Sequence, residues 1–146
     1  MRPSVLNKLY IIVERQLDAS ILRSILDCNE YEEVYQYISN GFNNLPSICQ
    51  TLRYRLENRD KMVIVFDTDS TDTDTINNMI SILNFLISPE KTNNSIGIFD
   101  MVPNLDTVLK LDKHDDIAKL SQIIKERLDE LKKIPVIIEI QKFIDL

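Results

Sequence analysis

Apolar residues in this chain follow two rhythms, short unbroken runs and stretches that recur every three or four positions, and the two alternate along its length. Lys8–Val13 is a short β-rich run bounded by polar residues, which predicts a fully buried strand. Asp18 then reads as an N-cap, followed by Ile21, Leu22, Ile25 and Leu26 at helical spacing. Glu32–Ile38 alternates like a second, less buried strand, closed by Asn40-Gly41. Pro46 opens a helix carrying Ile48, Leu52 and Leu56 on one face. Met62–Phe66 is the clearest buried strand. Ile76, Met79, Ile80, Leu83, Leu86 and Ile87 mark the next helix, stopped by Pro89.

Ser95–Val102 predicts a fourth strand, and Pro103-Asn104 turns the chain. Ile117, Leu120, Ile124, Leu128 and Leu131 predict one last helix, with Lys132 and Lys133 complementing its dipole and Pro135 ending it. Pro135–Leu146 stays open between a fifth strand and a docked tail. Alternating strands and helices predict a three-layer α/β/α, Rossmann-like fold with a mainly parallel four-stranded sheet. Residues 1–146 read as one domain with its core over about 8–133.

Composition narrows the function classes only slightly. A length of 146 residues suffices to bury a core without staples. A net charge of −6 argues against a chain that coats nucleic acid by bulk electrostatics, yet suits an enzyme whose acids hold cations. Cys28 and Cys49 show no metal-ligand or redox spacing and read as free thiols of a reducing compartment. No apolar run is long enough for a membrane span, and no secretory leader pattern is present. The expectation is a cytoplasmic protein with no membrane association.

The chemistry lies where apolar runs end. Glu14 ends the first run, and Asp67-Thr68-Asp69 ends the third. Parallel strands that deliver carboxylates at their C-terminal ends build an oxygen-rich site for a hard divalent cation. If the strand geometry continued, Asp67 and Asp69 would leave the same face. Glu14 would stand across the gap as a ligand or as a general base on water.

Val13-Glu14-Arg15-Gln16-Leu17-Asp18, a strand-ending glutamate with an acid four residues on, resembles the first motif of the Toprim family. Val63–Asp69 resembles the second, the DxD motif, and the likeness covers about residues 8–110. It is nearest to the nuclease branch, similar to the Toprim domains of the overcoming-lysogenization-defect nucleases. The resemblance implies phosphodiester cleavage in DNA or RNA with Mg²⁺ or Mn²⁺. It also implies Glu14 as general acid/base, Asp67 and Asp69 as metal ligands, and Asp18 as a second-metal ligand. Arg15 stands where the family has glycine, and a guanidinium there suits a substrate phosphate. Asp72 replaces a small residue that often follows DxD.

Plainer readings compete at several of these positions. Asp72, Thr73 and Asp74 fit a helix cap and first turn better than a metal site. Asp18 fits either. Arg53, Arg55 and Arg59 suggest a nucleic-acid contact, but a solvated helix accounts for them more simply. His114 reads as a surface helix-start residue, and Asp106 as either a cleft residue or a turn cap. Two other functions remain open. One is a catalytically silent Toprim-like module bound to a protein partner, such as an ATPase or a larger nuclease complex. The other is a receiver-like phosphoacceptor domain.

Overall fold

A computed structural model of the chain describes residues 7–57, 59–87, 95–111 and 116–145. Four strands form one sheet: β1 (Lys8–Val13), β2 (Glu33–Ile38), β3 (Lys61–Asp67) and β4 (Ile96–Met101). Their order is β2-β1-β3-β4, and every pairing is parallel. Seven α-helices accompany them among the described residues: α1 (Gln16–Ile25), α2 (Leu45–Leu52), α3 (Thr73–Ile87), α4 (Leu105–Leu109), α5 (Ile117–Glu126), α6 (Leu128–Leu131) and α7 (Pro135–Ile144). The fold is three-layer α/β/α, as the alternation of runs and periodic stretches requires.

Strand pleating divides the core. Leu9, Ile11, Val13, Val63 and Val65 pack on one face with α1, α4, α5, α6 and α7. Tyr10, Ile12, Met62, Ile64 and Phe66 face the other way, against α2 and Leu83 of α3. The two central strands are buried on both sides, which is why they read as unbroken apolar runs. Edge strand β2 is only partly buried, as its weaker alternation indicates.

Four local expectations change. Helix α1 starts at Gln16 with Arg15 as its N-cap, so Asp18 sits in the first turn and caps nothing. Helix α2 ends at Leu52, and Arg53–Arg55 form a 3₁₀ turn that carries Leu56 off the helix. The long last helix is two helices, broken at Arg127. There the guanidinium donates to the carbonyls of Leu109 and Lys110, both at 3.0 Å, and the backbone leaves helical geometry. Ile117, assigned to its buried face, is 70% exposed.

The open C-terminal segment is not a strand but is docked, as a helix. Pro135 opens α7 instead of only ending a helix, and Ile137, Ile140 and Ile144 bring that helix into the core. Gly97 on β4 gives the Phe143 ring room, since a Cβ there would meet it at 3.1 Å. Asp72 does cap α3, its carboxylate accepting from the Thr75 N–H at 3.0 Å and from the Thr75 hydroxyl at 2.7 Å. Pro89 and His114 lie outside the described residues.

Candidate active site

The C-terminal ends of β1 and β3 open into a cleft of about 470 Å³. Glu14, Asp67, Asp69 and Asp106 line it together with Arg15. Because β1 and β3 are adjacent and parallel, the residues that end them meet across one gap. Glu14 Oε2 accepts the Asp67 N–H at 2.7 Å. Asp67 Oδ1 in turn accepts the Leu105 N–H at 2.9 Å, which ties the first turn of α4 to the cleft. Each carboxylate thus uses one oxygen on a backbone donor and keeps a second.

The DxD segment does not stay extended. Thr68 is buried, and its hydroxyl donates to the Ser70 carbonyl at 2.7 Å and the Met101 carbonyl at 3.2 Å. Asp69 then takes a left-handed conformation (φ 51°), which aspartate tolerates better than most residues. Its N–H donates to the Pro103 carbonyl at 2.8 Å. The exposed Asp69 side chain still lines the same cleft as Asp67, reached through a turn.

Asp18 and Arg15 stand apart from this pair. Asp18 is only 3% exposed, and Arg15 binds it with two N–H groups, Nη2 to Oδ1 at 2.6 Å and Nε to Oδ2 at 3.3 Å. The same Nη2 reaches both oxygens of Asp106 at 3.2 Å. The Arg15 side chain therefore joins α1 to α4 along the cleft wall, and Asp18 does not line the cleft. Asp106 is a cleft residue that the sequence left open. Asn40, Gly41 and Asn104 also line the cleft and were not singled out. Asn40 (φ 58°) and Gly41 (φ 119°) form a left-handed turn that the Asn-Gly pair signals. Asn104 caps α4, its side chain accepting the Thr107 N–H at 2.9 Å.

Crowding of acids in a half-enclosed space shifts their proton affinity. Burial raises the Glu14 carboxyl above its ordinary value; Asp69 and Asp18 add to that, against the Asp67 N–H and Arg15. Burial, reinforced by the charges of Asp18 and Glu14, pushes Asp67 up to about 7, although the Leu105 N–H and Arg15 oppose it. Burial also raises Asp18, and its hydrogen bonds to Arg15 oppose the rise. The Asp18 hydrogen bond holds the Arg15 guanidinium firmly protonated.

No protein-family model, curated protein or solved structure matches this chain.

Among the described residues, no group of three or more His, Cys, Asp or Glu side chains converges closely enough to enclose a metal ion. Glu14 and Asp67 instead offer one remaining oxygen each, beside the exposed Asp69. That donor set fits Mg²⁺, which binds through one or two carboxylates while keeping several waters, and does not fit a dehydrated protein cage. Burial is the main cause of the raised proton affinities, and the neighbouring negative charge that adds to it is what a cation would relieve. Among the described residues, no helix is long and apolar enough to cross a membrane.

Proposed function

We propose that this chain is a Toprim-like, metal-dependent nuclease that cleaves phosphodiester bonds in DNA or RNA. The observation that carries the reading is the meeting of Glu14 and Asp67 from adjacent parallel strands, 2.7 Å apart through the Asp67 N–H, in a cleft shared with Asp69. Bound Mg²⁺ or Mn²⁺ would neutralise phosphate charge and acidify a water, with Asp67 and Asp69 holding the ion.

The chain's own groups supply the rest. Glu14, its proton affinity raised by burial, takes the proton of the attacking water as the new P–O bond forms and the ester P–O bond breaks. The departing oxygen takes a proton from solvent. Arg15, its side chain 41% exposed, is fixed by Asp18 and Asp106 and turns its remaining N–H groups toward substrate phosphate. Asp18 acts here through Arg15, as a positioning residue.

The test is cleavage of labelled DNA and RNA in Mg²⁺ or Mn²⁺. Glu14→Gln keeps the oxygen that accepts the Asp67 N–H and should lose about 10²-fold or more in rate. Cleavage by that variant at the wild-type rate removes Glu14 as the base. Mg²⁺ should raise the melting temperature of the wild type and leave Asp67→Asn almost unmoved.

A second reading, a catalytically silent module docked on a protein partner such as an ATPase, has one observation in its favour. Helix α3 presents Phe85 at 82% and Ile82 at 47% exposure, on a stretch with no charged residue from Thr75 to Ile87. Metal-dependent nicking by the isolated chain would end that reading.

A further inference from the structure

We infer that a groove between β2 and α2 binds an unpaired base of a single-stranded nucleic acid whose backbone continues into the acidic cleft. This inference rests on the nuclease reading of that cleft and names its substrate class. Ser47, Thr51 and Arg55 follow one another at four-residue intervals along α2 and the turn after it, forming one rail of the groove. Tyr37 of β2 stands opposite, with Ile48 and Leu52 completing the lining. The cavity is about 260 Å³, just below the range of small-molecule pockets, which suits one planar ring system and not a duplex.

The lining chemistry matches a nucleotide. Tyr37 is already fixed by stacking on Tyr10, with centroids 6.2 Å apart and planes 26° apart, so its ring is a preorganised platform. Tyr35, on the same face of β2, stacks on Tyr10 at 5.4 Å and is 39% exposed, offering a second aromatic surface farther along the strand. Arg55 is exposed at the far end of the rail. Of the cations nearby in sequence, Arg53 is buried against the Tyr54 ring and Lys61 lies over the Phe143 ring on the opposite sheet face, so Arg55 is the positive charge of the lining. The Asp60 carboxylate is taken up by the N–H groups of Lys8 and Glu57, and Glu57 pairs with Lys8 at 3.8 Å. An aromatic ring facing an exposed guanidinium is the pairing by which a sequence-tolerant single-strand site holds a base and its phosphate.

Position connects groove and cleft. Tyr37 precedes the cleft residue Asn40 by three positions, about 10 Å at the rise of a strand. A phosphate at Glu14 and Asp67 would therefore leave a base only a short way along the chain to reach Tyr37. Bases in a duplex are stacked and paired and cannot enter such a groove, so the occupant is single-stranded.

Glu14→Gln protein in Mg²⁺ permits binding to be measured without cleavage, by fluorescence anisotropy with labelled single-stranded and duplex oligonucleotides. In that background Tyr37→Ala should weaken single-strand binding about tenfold or more, and Tyr37→Phe, which keeps the ring, should not. Arg55→Ala should weaken it less and flatten its salt dependence by about 0.7 in log–log slope. Thr51→Glu, at an exposed helical position, tests the groove without disturbing the Tyr10 stack and should also weaken binding. Tyr54→Ala, outside the groove, should bind as its parent does. Undiminished single-strand binding by both Tyr37→Ala and Thr51→Glu, or tighter binding of duplex, overturns the inference. If wild type cleaves while those variants bind normally, the cleft reading survives alone. If the variants lose binding but wild type never cleaves, the groove survives and the nuclease reading falls.

Discussion

Asp67 concentrates the physical tension of this molecule. Burial pushes its carboxyl up to about 7, and the charges of Asp18 and Glu14 add to that. An acid whose folded pKa exceeds its unfolded value binds extra protons in the native state, so its contribution to stability falls as pH rises from about 4 to 7. In chelator, Asp67→Asn should accordingly be more stable than wild type at pH 8, by about 1 kcal/mol after allowance for solvent in the open cleft, and the gap should close toward pH 4. Urea titrations at the two pH values measure it, and equal stability at pH 8 would show that ionised Asp67 costs the fold nothing. Glu14 and Asp67 were legible because each ends an apolar run, and a strand end in a parallel sheet is where a side chain can face a ligand. The role of Asp106 was not, because its contact with Arg15 joins residues 91 positions apart, and Asp18, three positions from Arg15, fitted a cap or a metal ligand equally well by spacing.

At the level of elements, capping and pairing decided what periodicity could not. The last periodic stretch satisfies a helical pattern from Ile117 to Leu131, yet Arg127 turns its guanidinium to the carbonyls at the end of α4 and divides the helix. Arg127→Ala leaves those carbonyls without their charged donor and should lower stability by about 1–2 kcal/mol. A matching fall in denaturation midpoint with unchanged slope would show it, and no change would mean that the break is set by packing alone. Five-residue α4 is too short to display a period, and the sequence pointed only to a turn at Pro103-Asn104 where Asn104 caps the helix. Helix α3 shows the reverse case. Its periodic positions predict a buried face, but among its described side chains only Leu83 is fully covered while Phe85 faces solvent.

The whole molecule depends on α7 more than its terminal position suggests. Ile137, Ile140 and Ile144 are at most 2% exposed and share a core with β1 and β3, and the Tyr31 hydroxyl donates to the Ile144 carbonyl. Losing one such isoleucine side chain costs roughly 2–5 kcal/mol, whereas an entire domain is stable by only about 5–15. A chain truncated after Ile134 should therefore lose its cooperative thermal transition; an unchanged melting curve by circular dichroism would refute this role for α7. By itself the sequence determined the alternation of strands and helices, the parallel sheet and the two acids at its central strand ends. Those follow from hydrophobic period and chain order, which are local properties. Only the tertiary structure decided that α7 is a covering helix, that Arg15 is held between Asp18 and Asp106, and that Tyr37 faces Arg55 across a groove. Each of these depends on which distant surfaces must be buried together, and that is settled by packing across the sheet, not by the spacing of residues along the chain.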